Sequence, residues 1–337
     1  MNIIKSIQST VFVSLLTLTG LNLIAEKVKA TALFVGSFDT NSVLSYDAET
    51  GDFIRSFINS GSGGLNGPVA LTFGPDENFY VISLLTNSVL RYDGRTGIFI
   101  DEFVTSGSGG LDTPQDLTFG PDGNLYVSST ATDSILRFDG VTGNFLDELV
   151  PSGSGGADPP FGLRFGDDNN LYFSSTLTNE VLLFNLVTET TSTFATGTPG
   201  DFPGGITFGP DGNLYVANFG ADNINRYNGT TGAFIDEFLD NSNGLLEGGP
   251  VQPIFGPDGN LYISSRDDNR VVRSDGETGE FIDEFIPAGS NGLSTAGWLA
   301  FGETPLPVPE SSSTLGLLAF MGILGGIKLV ELNNKKQ

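Results

Sequence analysis

The sequence predicts an all-β fold: a six-bladed β-propeller of four-stranded blades, its ring closed where the C-terminal strand pairs with the N-terminal blade. Three observations predict it. Phe-Gly recurs at positions 73, 119, 165, 208, 255 and 301, in steps of 46, 46, 43, 47 and 46 residues. A second landmark, Tyr46, Tyr92, Phe138, Phe184, Tyr227 and Ser274, drifts in step with the first. A period of about 45 residues built from short β segments marks propeller blades. The ends supply the third observation. Five complete units begin at Leu71, Leu117, Leu163, Ile206 and Pro253; three strands precede them and one follows Trp298, and those fragments make a sixth blade.

The elements follow in order. Residues 1–30 read as an export signal: Lys5 is the basic start, an apolar stretch runs from Val11 to Ala25, and small residues around Ala30 suit signal peptidase. Residues 31–303 are the propeller. Within residues 117–162, Leu117-Thr118-Phe119 reads as the first strand, and Pro121-Asp122-Gly123 as a tight turn, because Asp-Gly accepts positive φ. Asn124 to Ser128 is the second strand and Ser134 to Phe138 the third. Asp139 to Gly143 turns the chain into the fourth, Phe145 to Val150. Strands packed between neighbouring blades should be apolar on both faces, and these nearly are. Residues 163–205 form the irregular unit, with Thr188 to Thr193 in place of the Asp-Gly and Thr-Gly turns. Residues 304–313 are a Pro- and Ser-rich linker. Residues 314–337 hold an apolar run, Leu315 to Ile327, and a tail ending in Lys335-Lys336. Thirteen apolar residues make about 20 Å of helix, short of a ~30 Å hydrocarbon core.

Composition excludes several functions. The 337 residues contain no Cys and no His. That removes disulfides, thiol nucleophiles, the commonest general base and the commonest zinc ligand. The formal charge is −25. All six Lys lie in the terminal segments, and residues 31–302 carry 9 Arg against 36 Asp and Glu. Such a field argues against nucleic acid and anionic membrane surfaces.

Repeated polar residues read mostly as structure. Asp76, Asp122, Asp211 and Asp258 stand in Pro-Asp turns, where Asp is favoured for turn geometry rather than for calcium. An Asn or Asp opens every third strand (Asn41, Asn87, Asp133, Asn179, Asp222, Asn269), as a side chain capping its own loop would. The strand-two aromatics Phe34, Tyr80, Tyr126, Tyr172, Tyr215 and Tyr262 read as a packing ring between blades. Asp-Glu pairs at 101, 147, 236 and 283 read as protection of the outer edge strand rather than as diffuse cation sites. The loops joining strands two to three and four to one share one face, where propellers usually bind ligands. That face holds Asp39, Asp116, Asp222, Asp267 and Asp268. Asp39, Asp267 and Asp268, on adjacent blades, are the best metal candidates, with calcium the cation they suit. The inner-strand approaches hold a single acid, Asp116, which is poor material for a carboxylate-lined metal site.

The run Phe119-Gly120-Pro121-Asp122-Gly123-Asn124-Leu125-Tyr126-Val127, followed by Asp133 to Phe138, resembles NHL and gluconolactonase-like propeller repeats over residues 33–303. The resemblance implies a fold and no single activity. Lyases with such repeats use His, which is absent; lactonases of this class use a Glu/Asn/Asp cation site in the channel. Val308-Pro309-Glu310, then Thr314 to Leu318, then the terminal lysines resemble a PEP-CTERM sorting signal, with Ser311 where the family usually has a second Pro. That resemblance implies an exosortase-type processing enzyme as partner, and a C-terminal helix that meets the membrane at least transiently. It also implies a place at the surface, at the outer membrane or outside a Gram-negative bacterium such as a cyanobacterium. The expectation is an exported, non-catalytic propeller that binds or scaffolds a surface protein or extracellular polysaccharide, without a cofactor. The alternative is a divalent-cation-dependent lactonase or hydrolase.

Overall fold

The computed structural model describes residues 31–305, apart from 243 and 245. The export signal, the Val308-Pro309-Glu310 motif and the apolar tail lie outside the described residues. Among those described, no helix is long and apolar enough to cross a membrane. Twenty-four strands form six antiparallel sheets of four. The first blade is built from β24 (Ala296–Glu303), β1 (Thr31–Ser37), β2 (Ser42–Asp47) and β3 (Phe53–Ile58), so the two ends of the ring meet in one sheet. Thr31 pairs with Glu303 and Val35 with Leu299. Blade three shows the regular order: β8 (Pro114–Phe119), β9 (Leu125–Ser129), β10 (Ser134–Phe138) and β11 (Phe145–Val150). The sequence places the third and fourth strands within these bounds. It starts the inner strand three residues late, because Pro114 and its neighbours lack apolar character.

The core is a zipper of aromatics between blades. Tyr80 packs edge-on against Phe103 of its own blade at 4.9 Å and against Phe119 of the next blade at 4.9 Å. Tyr172, Tyr215 and Tyr262 each repeat both contacts. Each such pair contributes roughly 0.5–1.5 kcal/mol beyond its buried area. The Phe-Gly landmark now has a cause. A Cβ on Gly120 would stand 2.5 Å from the Tyr126 ring and 2.9 Å from Asp122. Only glycine lets the ring lie flat on the backbone there.

The turn aspartates are indeed structural. Asp122 accepts the Asn124 backbone N–H at 3.0 Å and the Tyr126 hydroxyl at 3.0 Å. The arrangement recurs at Asp76, Asp168, Asp211 and Asp258. At the ring closure no such turn exists, and Phe34 replaces Tyr, so no buried hydroxyl is left without an acceptor.

Two expectations need correction. The strand-three Asn does more than cap its own loop, as Asn179 and Asn269 do by donating Nδ2–H to Leu177 O and Asp267 O. Asn41, Asn87 and Asn179 accept the N–H of Gly67, Thr113 and Phe202, residues that lead into the next blade. These side chains tie blade to blade. The Asp of each Asp-Glu pair is not a free rim charge either. Asp101, Asp147, Asp236 and Asp283 grip Arg91, Arg137, Arg226 and Arg273 of the neighbouring strand through two nitrogens. Three of those guanidiniums also lie over Phe103, Phe238 and Phe285 at 4.8–4.9 Å.

Candidate functional site

The site is built from the residues nearest the axis. Three rings of equivalent positions define it, one residue per blade. The second residue of each inner strand gives Val69, Gln115, Phe161, Gly204, Val251 and Gly297. The third gives Ala70, Asp116, Gly162, Gly205, Gln252 and Trp298. The residue just after each second strand gives Phe38, Leu84, Thr130, Thr176, Phe219 and Arg266. Unlike the aromatic zipper, these rings do not repeat.

Trp298 crosses the axis. Its ring meets Phe161, from the opposite blade, at 5.5 Å between centroids. Above it opens a cavity of about 300 Å³, walled by Phe38, Leu84, Phe161, Phe202, Phe219, Val251 and Trp298. The cavity lies on the face that holds the two-to-three and four-to-one loops, as expected for a ligand face. Gln115 supplies its one carboxamide side chain and Arg266 its one charged side chain. The wall hydroxyls are occupied: Thr176 Oγ1 donates to Pro203 O at 3.0 Å, and Thr295 Oγ1 to Asp39 Oδ2 at 2.7 Å.

Backbone strain gathers at the same mouth. Phe202 has φ 49°, and Thr113 and Thr295 φ 52°; Gly67 and Gly249 hold the equivalent place at 67° and 77°. A bulky or β-branched residue in the left-handed region is an outlier that surrounding bonds must hold. Asn87, Asn179 and Asn269 hold these three by accepting their N–H groups. In the remaining loop of this kind Pro159 stands instead, with no N–H for Asp133 to receive.

Below the floor lies Asp116, 2% exposed. Its Oδ1 accepts the Leu117 N–H at 2.8 Å, and its Oδ2 the Leu163 N–H of the next blade at 2.7 Å. Arg164 stands 3.5 Å away. The Trp298 indole N–H makes no bond of normal geometry, though its nearness weakly favours the ionised acid. Burial outweighs these partners and pushes the carboxyl up to about 6. Asp116 is thus a buried channel residue, not a member of the loop face where the sequence reading put it.

The predicted metal candidates are placed as follows. Asp39 Oδ2 accepts the hydroxyls of Thr295 and Ser294, which hold the acid below its usual range. Asp268 Oδ2 accepts the Ser265 hydroxyl at 2.6 Å and the Gly248 N–H at 2.9 Å. Asp267 stands outward beside Arg266, 3.7 Å from its Nε. Among the described residues no group of three or more acids is close enough to hold a metal ion. Asp222, raised by burial and by the charges of Asp268 and Glu247, lies nearby. Sequence reasoning missed the cavity wall. Its signal is present, since Phe38 to Arg266 keep the 46, 46, 46, 43, 47 rhythm, but spacing marks the positions and not the cavity between them.

No protein-family profile and no curated protein matches the chain. Solved structures do match. A chain from a nidogen/laminin complex aligns with TM-score 0.64 and 17% identity, over 82% of this chain and 100% of its own. Catalytically inactive virginiamycin B lyase from Staphylococcus aureus, crystallised with quinupristin, aligns with TM-score 0.55 and 17% identity, over 84% and 87%. A protein of unknown function from Bacteroides caccae aligns with TM-score 0.58 and 14% identity, over 81% and 98%. At such identities the likeness is one of fold. The fold defines a six-bladed propeller, and its neighbours include both a lyase and a member of a protein complex.

Proposed function

We propose that this is an exported, non-catalytic propeller that binds its ligand in the axial cavity. The observation that carries the reading is the cavity wall itself. It is aromatic and aliphatic, its two threonine hydroxyls are already engaged, and its remaining polar side chains are Gln115 and Arg266. The lyase neighbour was inactivated by replacing one His with Ala, and this chain contains no His. The alternative, a divalent-cation-dependent lactonase, finds no support at the channel. Asp116 is the acid at that level and both its oxygens are engaged. Glu303 lies at the far end of β24, paired with Arg95.

Export and sorting fit the geometry. Thr31 and Glu303 are paired neighbours at one end of the first blade, while Ala296 and Gly297, at the other end of β24, line the cavity. Seven residues of strand separate the two faces by roughly 20 Å. A tether at either end would therefore turn the cavity outward, toward extracellular polysaccharide or a surface protein. NHL-like repeats and a PEP-CTERM-type signal read by an exosortase-type enzyme complete the proposal.

Mass spectrometry of the mature protein from its native host tests the sorting step. The expected product has lost residues after Glu310. Unchanged processing of a variant with Ala at both Pro309 and Glu310 refutes it. Intrinsic fluorescence of Trp298, the only Trp in the chain, tests the cavity: bound ligand alters its emission, and silence toward every apolar probe refutes binding there.

A further inference from the structure

We infer that the axial cavity selects an apolar-bodied monoanion, an aryl or alkyl carboxylate, with its acid group on Arg266. The inference rests on the proposal that the cavity is a binding site, and adds the chemistry of what it takes. The carrying observation is how arginine is used elsewhere. Among the described residues, eight of the nine arginines commit at least one terminal guanidinium nitrogen to a carboxylate or a carbonyl, as Arg91 does with Asp101, Arg95 with Glu303, Arg164 with Asp116 and Arg270 with Glu284. Arg266 is the exception. Its one ion pair runs through Nε, to Asp267 at 3.7 Å. Both terminal nitrogens carry no hydrogen bond or ion pair, and Arg266 alone brings charge to the cavity.

Its backbone is fixed, which roots the side chain at the cavity rim. The Arg266 N–H donates to Gly249 O at 3.1 Å, and its carbonyl accepts from Ala296 N at 3.1 Å. The guanidinium lies over the Phe219 ring at 6.0 Å. The nearest acids make no ion pair with the terminal nitrogens: Asp39 feels the Arg266 charge but gives its Oδ2 to Ser294 and Thr295, and Asp268 is held by Ser265 and Gly248. A planar fork with free donors matches a carboxylate in two-point fashion. The surrounding aspartates set the charge limit. They repel a dianion or polyanion more than a monoanion, which is selection by repulsion as well as attraction. A volume of about 300 Å³ lies at the small end of ligand pockets, enough for one ring and a short chain.

The test uses the full propeller and Trp298 emission. The probes are 4-phenylbutyrate, 4-phenylbutanol and 4-phenylbutylamine, which share a body and differ in charge. The carboxylate is expected to bind at least about tenfold more tightly than the alcohol, and the amine least. Arg266→Gln is expected to bring the carboxylate to the level of the alcohol, at an unchanged melting temperature. Equal or tighter binding of the alcohol or the amine by the unaltered protein overturns the inference while leaving the cavity a binding site. So does a carboxylate preference that survives in Arg266→Gln. If none of the three changes the emission, the cavity reading and this inference fall together.

Discussion

Asp116 gives the sharpest test of the channel's energetics. Its carboxyl sits at about 6 in the folded protein, against an ordinary 3.8. Since the folded value is the higher one, the native state holds an extra proton between the two. Stability from this group is fully present below the unfolded value and is lost as pH rises through about 6. The full difference corresponds to about 3 kcal/mol. Between pH values of about 7.5 and 4.5, linkage assigns about 2 kcal/mol to this residue alone. Other acids move the opposite way: the Thr96 hydroxyl and turn N–H groups hold Asp93 low, and Thr50 and Glu49 N–H groups hold Asp47 low. The total pH profile therefore hides the effect, and a variant is needed to isolate it.

Asp116→Asn is that variant. The amide oxygen can accept one of the two backbone N–H groups, from Leu117 or Leu163, and its NH2 then faces the other. The unpaired donor costs about 1–3 kcal/mol, while removal of a carboxylate whose desolvation outweighs the pull of Arg164 returns a similar amount at neutral pH. The variant should thus lie close to the parent at pH near 7.5. On acidification the parent should gain about 2 kcal/mol relative to it. Urea unfolding of both proteins at both pH values measures the difference. A parent-minus-variant difference that does not change with pH refutes the reasoning.

Three further outcomes follow from the packing. Deleting residues 299–303 removes buried Leu299 and half-buried Phe301 from the closing sheet, at about 1.5–3 kcal/mol for Leu299 alone; an unchanged melting temperature contradicts closure through β24. Tyr126→Phe loses the hydroxyl bond to Asp122 and should cost about 0.5–1.5 kcal/mol, whereas Phe34→Tyr buries a hydroxyl with no turn acceptor and should cost about 1–3 kcal/mol. Equal effects in denaturant titrations count against the turn assignment. Calcium at fixed ionic strength should leave the melting temperature unchanged, since the edge-strand aspartates are already paired with arginine; an upward shift of several degrees restores them as cation sites.

How much of this was legible in the sequence depends on which contact is asked about. Strand order and blade count were, because they follow from spacing alone. The Arg–Asp pairs were legible too, though only as a pattern: Asp-Glu occurs in the four units where an Arg stands ten residues earlier, at 91, 137, 226 and 273. The first unit has Ser45 and Arg55 at these places and the fourth has Leu183 and Ser192, so the pair is absent together or present together. The reach of Asn41 was not legible. Its acceptor role falls on Gly67, 26 residues on, and nothing local distinguishes that from a bond within its own loop. Burial of Asp116 was hidden for a similar reason: its partners and neighbours, Leu163 and Trp298, come from other blades far along the chain.

The distribution of repetition carries the functional argument. Positions that hold blades together are nearly identical from unit to unit: the strand-two Tyr, its turn Asp and the Phe-Gly of the next inner strand. Each solves one packing problem, posed six times, so one solution suffices. The axial rings face a different demand. Six copies of one large side chain would collide on the axis, and six small ones would leave a pore. The chain instead sets Trp298 and Phe161 across from each other, with glycine at 162 and 205, where a Cβ would meet backbone oxygens at 2.6 and 2.5 Å. The same freedom places one arginine among five uncharged residues around the mouth. A ring that needed only to be stable could have filled that position with the Phe, Leu or Thr found at the other five. Its terminal guanidinium nitrogens make no hydrogen bond or ion pair within the ring, and a ligand with an acid group is what would give them one.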